Sequence, residues 1–286
     1  MSESIHIEPT HLFLADVHLG GSILMGENYE KGLCSLINYA AQKKIQLYLL
    51  GDVFDYWMEF PAQKSEKTPF KSIQSPRETT LPPLGSSILD TLKKYNQACG
   101  PAYYILGNHD YWDAGYFASI GCKVFNDGCK IDLDRQTVCL LHGDGLPTKK
   151  TRIRGNLITP LKRPILHTIL RSASFITLFQ YFFAPNQAWS MMKAFSNFSK
   201  KKEKPTLATI DSALKNLINF SDIDSIIAGH DHLARTVHTK GGQYINTGPY
   251  YENNLVLTYS KQGWVHAEWD ERQSKLVVKE KPSYSL

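Results

Sequence analysis

Cysteine is scarce in this sequence and poorly placed for a scaffold. The five cysteines, Cys34, Cys99, Cys122, Cys129 and Cys139, are odd in number and scattered, with no Cys-x-x-Cys pair. That pattern argues against a disulfide framework and against a structural zinc site. The basic start and apolar stretch of a signal peptide are also lacking, since the N-terminus reads Met-Ser-Glu-Ser-Ile-His; the expectation is an intracellular protein. The longest apolar stretch, Pro164 to Pro185, is broken by His167, Arg171 and Gln180, so no membrane span is expected. Internal repeats are missing too. Acidic residues all but vanish from one segment: between Gly145 and Lys204 twelve Lys and Arg face a single acid, Glu203, for a local charge of +11. The rest of the chain, with 20 basic and 26 acidic residues, carries −6. Such a split marks a separate functional zone with an anionic partner, whether phosphate, membrane surface or nucleic acid.

What is present is a chain able to build a sizeable core, with 286 residues of which 42% are hydrophobic. Its organising stretch is Leu47 to Trp57, Leu-Tyr-Leu-Leu-Gly-Asp-Val-Phe-Asp-Tyr-Trp. An apolar run stops at Gly51 and delivers Asp52 and Asp55 to what reads as the C-terminal end of a buried strand. Four other apolar runs end in the same way. His11 to Ala15 leads into Asp16-Val17-His18, Ala102 to Leu106 into Gly107-Asn108-His109-Asp110, Thr137 to Leu141 into His142-Gly143-Asp144, and Ser225 to Ala228 into Gly229-His230-Asp231-His232. Helical spacing over Tyr29 to Lys44 between the first two strands predicts a parallel βαβ unit. A further helix is expected from Ser87 to Ala98, an exposed inserted loop from Pro61 to Ser87, and a run of short strands from Gln243 to Lys279.

A sheet brings Asp16, His18, Asp52, Asn108, His142, His230 and His232 to one edge. Imidazoles and carboxylates with no thiolate suit two divalent cations such as Mn, Fe, Zn, Co or Ni, and Asp52, central among the strand ends, is the natural bridge. The five motifs Asp-x-His, Gly-Asp-x-x-Asp, Gly-Asn-His-Asp, His-Gly-Asp and Gly-His-x-His, in this order from Asp16 to His232, resemble those of the calcineurin-like metallophosphoesterases. The resemblance implies one metal on Asp16, His18, Asp52 and His232, and a second on Asp52, Asn108, His142 and His230. It also implies a water activated between two ions. His109 would face the scissile phosphate, to stabilise charge or protonate the leaving group, with Asp110 orienting its ring. Asp55 and Asp144 are candidate acceptors for ligand imidazoles, with turn capping the alternative. The fold expected is a four-layer αββα sandwich, a core of residues 1–144 and 205–286, with a basic helical insertion, 145–204, as a lid.

Within that insertion, Ile165, Leu166, Ile169, Leu170, Ala173, Ile176, Phe179, Phe182 and Phe183 fall at helical intervals. An amphipathic helix is predicted from Arg163 to Phe183, and a Trp- and Met-rich helix around Asn186 to Phe198. Apolar surface with a cationic rim suits a ligand with acyl chains and phosphates, or an anionic bilayer. Gly-Asp-Val-Phe-Asp-Tyr-Trp and His-Gly-Asp-Gly-Leu followed by a basic helical insertion look like the UDP-2,3-diacylglucosamine pyrophosphatases of lipid A biosynthesis. This implies hydrolysis of that nucleotide-linked glycolipid to UMP and a diacylglucosamine 1-phosphate with Mn, at the cytoplasmic face of the inner membrane. The best-known branch has Arg where this chain has His109, an acidic pair where it has Lys149-Lys150, and Gly-His-Thr-His-Arg-Pro where it has Gly-His-Asp-His-Leu-Ala. The His109 form occurs in other, similar members. Lys149, Lys150, Arg152 and Arg154 are the candidate phosphate contacts, with Asn156 and Trp57 behind them. A soluble nucleotide or other phosphodiester is the alternative substrate. A nuclease is less favoured, because the insertion pairs its cations with aliphatic and Phe-rich faces instead of exposed aromatics alternating with cations. No protein partner is predicted.

Overall fold

The apolar runs read from the sequence become the strands of two sheets. The computed structural model describes residues 8–21, 27–61, 79–144, 151–154, 157–160, 169–170, 172–199 and 222–285. In chain order these form β1 (His11–Leu14), α1 (Glu27–Lys43), β2 (Gln46–Leu50), β3 (Phe60–Pro61), β4 (Thr79–Thr80), α2 (Ser86–Cys99), β5 (Tyr103–Ile105), α3 (Tyr116–Ser119), β6 (Lys123–Phe125), β7 (Gly128–Leu133) and β8 (Gln136–Leu141). The chain continues through β9 (Thr151–Arg154), β10 (Leu157–Pro160), α4 (Ala173–Phe182), α5 (Pro185–Ser199), β11 (Ser225–Ala228), β12 (Arg235–Thr239), β13 (Gly242–Asn246), α6 (Tyr250–Asn253), β14 (Leu255–Ser260), β15 (Gly263–Asp270), β16 (Lys275–Val278) and β17 (Ser283–Ser285).

The first sheet has seven strands in the order β16-β15-β14-β1-β2-β5-β6, and the second has eight in the order β17-β12-β13-β11-β8-β7-β10-β9. β1, β2, β5 and β6 run parallel, as do β8, β11 and β13. Parallel strands are buried on both faces, which is why they read as unbroken apolar runs. In β1 the alternation is visible: Leu12 and Leu14 face one core with α1 and α2, while Phe13 and Ala15 face another shared with Val138, Leu140, Ile227 and Ile245 of the second sheet. Fully burying each such Leu, Val or Phe stabilises the fold by roughly 1.5–3 kcal/mol. The helix α1 buries Leu33, Leu36, Ile37 and Ala40, and α2 buries Ile88, Leu89, Leu92 and Tyr95; both stripes follow the 3.6-residue period. Outside the second sheet Cys139, Leu141, Ile226, Ala228, Val237 and Tyr244 form a third buried cluster. The result is a mixed α/β fold, two sheets face to face with helices packed outside the first.

Several elements differ from the sequence reading. Residues 151–160 contain no helix among the described positions; β9 and β10 are an antiparallel hairpin that adds to β7 at the edge of the second sheet. α4 begins at Ala173 behind Ser172, whose hydroxyl accepts a hydrogen bond from the Phe175 N–H, the usual N-cap arrangement. Residues 163–168 of the expected longer helix lie outside the described residues. So does most of the expected inserted loop; its ends are described, with β3 paired to β4.

Candidate active site

Parallel pairing puts the ends of β1, β2 and β5 at one edge of the first sheet and the ends of β8 and β11 at the same edge of the second. Two hydrogen bonds stitch the sheets together there. Asp16 Oδ2 accepts from the His230 N–H at 2.8 Å, and the Leu50 carbonyl accepts from His142 Nδ1 at 2.8 Å. The strand ends, within the first sheet and between the sheets, approach so closely that side chains are excluded at two points. A Cβ on Gly107 would overlap the Asp52 carboxylate and backbone, and one on Gly229 would overlap Ala15 and come within 2.7 Å of Asp16 Oδ2. Five of the motif residues, Asp16, His18, Asp52, His230 and His232, have left-handed backbones with φ between 51° and 71°. Such conformations are costly for residues other than glycine and persist only where surrounding contacts over-determine them.

These turns aim the side chains into a common space. Three groups of donor atoms lie within 4.8 Å of one another: Asp16, His18 and His232; His18, Asp52 and His109; and Asp52, His142 and His230. Asp52 Oδ2 lies between them, 3.3 Å from His142 Nε2 and 3.8 Å from both His18 Nε2 and His109 Nε2. Asn108 Oδ1 is 3.1 Å from His142 Nε2. His18 Nε2 and His232 Nε2 face each other at 3.3 Å, with Asp16 Oδ1 3.5 Å from the latter.

Four of the imidazoles share one design. His142 Nδ1 meets the Leu50 carbonyl, and His109 Nδ1 meets the Asp55 carbonyl at 2.9 Å; a carbonyl only accepts, so a proton sits on Nδ1 and Nε2 is turned inward. His18 Nδ1 donates to Asp55 Oδ1 at 3.0 Å, and His232 Nδ1 lies 3.2 Å from the Tyr251 hydroxyl. Tethering one ring nitrogen so that the other points at a metal is the arrangement of ligating histidines.

Burial opposes ionisation of Asp52, yet the charges of His142 and His109 and the hydrogen bond to His142 hold its carboxyl well below the usual carboxylate range. Asp16 follows the same pattern: burial is outweighed by the nearby His232. Burial works against the imidazolium of His142, but Asp52 raises its pKa well above the ordinary value. Burial, reinforced by the positive His142, depresses His230 to about 4, and burial also lowers His18 against the pull of Asp55. Two fully buried carboxylates among inward-facing imidazoles, and an Asp16 Oδ1 with no hydrogen-bond partner, fit divalent cations: the donor set is nitrogen and oxygen, with charge to be neutralised.

Other candidates land elsewhere. Asp110 does not orient the His109 ring. Its Oδ2 accepts from the Val53 N–H and the Tyr104 hydroxyl, and its Oδ1 from the Gly107 N–H. Burial, with Asp52 nearby, raises its carboxyl to about 6. Asp110 therefore ties the loop after β5 to the loop after β2. Trp57 is buried against Phe54 and Phe117 and offers no surface to a ligand. Asp144 contributes charge toward His142 and His230. Lys149, Lys150 and Asn156 lie outside the described residues, and Arg152 and Arg154 are described only as backbone positions of β9. Tyr251 was missed; its only signal is a Pro-Tyr-Tyr turn after β13, which carries no metal-binding pattern.

The helices α4 and α5 seat on the loop that runs away from this centre. Met58, Phe60, Ala188, Trp189 and Met192 are buried together, with Trp112, Ile176 and Phe179 packed around them. Backbone carbonyls of the loop accept from the helices: Glu59 O from Gln180 Nε2 at 2.6 Å, and Met58 O from Trp189 Nε1 at 3.0 Å. The far side is exposed, with Leu178, Tyr181 and Phe182 accessible at 56%, 70% and 66%.

The family model of calcineurin-like phosphoesterases matches residues 10–234. The chain belongs to that family. As a calcineurin-like phosphoesterase it is a metal-dependent hydrolase. Curated relatives include proteins named UDP-2,3-diacylglucosamine hydrolase. That of Hamiltonella defensa is 29% identical, covering 77% of this chain and 76% of its own. Those of Stenotrophomonas maltophilia and Vibrio cholerae are 24% and 25% identical, each covering 89% of this chain and 96% of its own. No described helix of this phosphoesterase is long and apolar enough to cross a membrane.

Proposed function

We propose that this phosphoesterase hydrolyses the pyrophosphate bond of UDP-2,3-diacylglucosamine, releasing UMP and 2,3-diacylglucosamine 1-phosphate, while in peripheral contact with the anionic inner membrane on its cytoplasmic face. The observation that carries the reading is the exposed apolar face of α4, Leu178, Tyr181 and Phe182, on a helix pair anchored to the loop that issues from the centre. Acyl chains need such a surface, whereas a soluble nucleotide gains nothing from it. The names of the curated relatives support the same substrate. In this reading residues 145–204 are a lid on a core of residues 1–144 and 205–286.

One cation would be held by Asp16, His18, Asp52 and His232, and a second by Asp52, Asn108, His142 and His230, with Mn2+ as the proposed metal. Bound there, they supply Lewis acidity toward phosphate oxygens and acidify a water. Asp55 and the Leu50 carbonyl keep His18 and His142 in the tautomer whose Nε2 faces inward. His109, with Nδ1 committed to the Asp55 carbonyl, presents Nε2 to the substrate; as imidazolium it donates to a phosphate or leaving oxygen as charge builds there. Lys149, Lys150, Arg152 and Arg154 are assigned to the remaining phosphate charge. Hydrolysis leaves the water oxygen on one phosphorus, and the bridging oxygen departs with the other.

The test is UMP release from UDP-2,3-diacylglucosamine in detergent, with and without Mn2+, beside UDP-N-acetylglucosamine. Mn2+-dependent turnover of the diacylated substrate alone is expected. Equal turnover of both would refute the acyl role of the helices and leave a phosphoesterase of soluble substrates.

A further inference from the structure

The turn from Gly229 to Leu233 carries two of the inward-facing histidines, one for each outer donor group, and both have positive φ, 71° at His230 and 58° at His232. Something must hold it. The side chain beneath it is Arg235, a charged residue that is 1% exposed and among the largest fully buried side chains. Its Nη1 lies 2.7 Å from Asp231 Oδ2, an ion pair more than a well-directed hydrogen bond, and donates to the Leu233 carbonyl at 3.0 Å. The same Asp231 carboxylate accepts from the Leu233 N–H at 3.0 Å through Oδ1. Arg235 and Asp231 thus close a ring around His232 from below.

A second set of contacts fixes the other end. The guanidinium carbon lies 5.2 Å from the centre of the Tyr244 ring, a cation–π contact. The Tyr244 hydroxyl accepts from Asn246 Nδ2 at 2.9 Å, and that amide also donates to the Gly229 carbonyl at 2.7 Å, one residue before His230. Arg235 itself is anchored in β12, paired opposite Asn246 of β13.

We infer that Arg235, acting through Asp231 and Tyr244, is a positioning residue that holds His230 and His232 in their ligating conformation. The inference rests on the metal-binding reading of the site. A planar, always-charged guanidinium suits the task, because it meets a carboxylate, a carbonyl and an aromatic face at once. Removing it leaves Asp231 buried without its counter-charge and frees both histidines to leave their left-handed backbone conformations.

The experiment compares wild type, Arg235→Met, Arg235→Lys and Asp231→Asn as full-length chains. Mn2+ bound per chain is measured by equilibrium dialysis, melting by circular dichroism, and kcat and KM with bis(p-nitrophenyl) phosphate. Arg235→Met is expected to stay folded and to bind Mn2+ about 10- to 100-fold more weakly. Its kcat should fall well beyond any change in KM, with partial rescue in Arg235→Lys. A purely structural role would lower the melting temperature and leave the Mn2+ affinity of the folded protein unchanged; that result overturns the inference. Should Arg235→Met fail to fold, the near-isosteric Asp231→Asn decides, with weakened Mn2+ binding supporting the proposal and wild-type binding overturning it. Absence of Mn2+ binding by wild type would overturn the metal reading itself, whereas wild-type binding unaltered by the substitutions overturns the positioning role alone.

Discussion

Glu59→Gln should change how stability depends on pH, because a buried carboxyl pair lies under the helix seat. Glu59 is 1% exposed; its carboxyl oxygens accept from the Ala114 and Tyr116 N–H groups at 2.9 and 3.0 Å. Its neighbour Asp113 accepts from the Phe117 N–H at 3.2 Å, and the two buried carboxyls oppose each other's ionisation. Burial, then the charge of Asp113, pushes Glu59 from its ordinary 4.5 up to about 8. Tyr116 also faces Glu59, and Tyr104 and Cys122 face Asp113; burial raises all three, so they stay neutral across this range. A folded-state pKa above the unfolded value means a contribution fully present below about pH 4.5 and lost as pH rises to about 8. Each pH unit in that window is worth about 1.4 kcal/mol, so the loss is on the order of 4–5 kcal/mol. Gln cannot ionise, but it gives up one acceptor for a backbone N–H, a cost of about 1 kcal/mol. Urea unfolding of both proteins at fixed ionic strength and fixed Mn2+ reads the difference. Wild type should be the more stable at the acidic end and the less stable at the alkaline end. A stability difference that stays constant across the window would refute the raised Glu59 carboxyl.

Three further substitutions probe the centre. Asp52→Ala should empty both cation sites, since Oδ2 of Asp52 lies between the two outer donor groups; retention of both Mn2+ ions in dialysed protein would sink the bridging assignment. His109→Ala should lower kcat by about 10²–10⁴-fold with Mn2+ content intact, because the Asp52 carboxylate is held by the backbone N–H of residue 109 at 2.9 Å and not by the ring alone. Loss of metal instead would make His109 a structural residue. Gly107→Ala places a Cβ against Asp52 and should cost about 1–3 kcal/mol in stability together with Mn2+ affinity; a variant that binds Mn2+ like wild type contradicts the close approach of the strand ends.

The donor residues were readable in the chain because each is a local signal: an apolar run, often a glycine, then a carboxylate, amide or imidazole. Asp16, His18, Asp52, Asn108, His142, His230 and His232 carry their strand ends with them, and parallel pairing alone suffices to align those ends. Helical spacing likewise announced α1 and α2, and the apolar face of α4. The partners of the donors were not readable. His142 and His109 are oriented by the carbonyls of Leu50 and Asp55, which any residue could supply, so no side-chain pattern marks them. Asp110 reads as the neighbour of His109, yet it turns away to Val53, Tyr104 and Gly107, because its turn packs against the loop after β2. Tyr251, Arg235 and Glu59 acquire their roles from elements distant in the chain. The hairpin of β9 and β10 exists because β7 offers an open sheet edge, which the composition of residues 151–160 does not reveal. Sequence by itself determined which atoms could bind cations and at which strand ends they stand. Tertiary structure decided which nitrogen of His18, His109, His142 and His232 faces inward, which carboxylates are buried side by side, and where the apolar helices sit, because each depends on the approach of two sheets and a helix pair whose contacting residues are far apart in the chain.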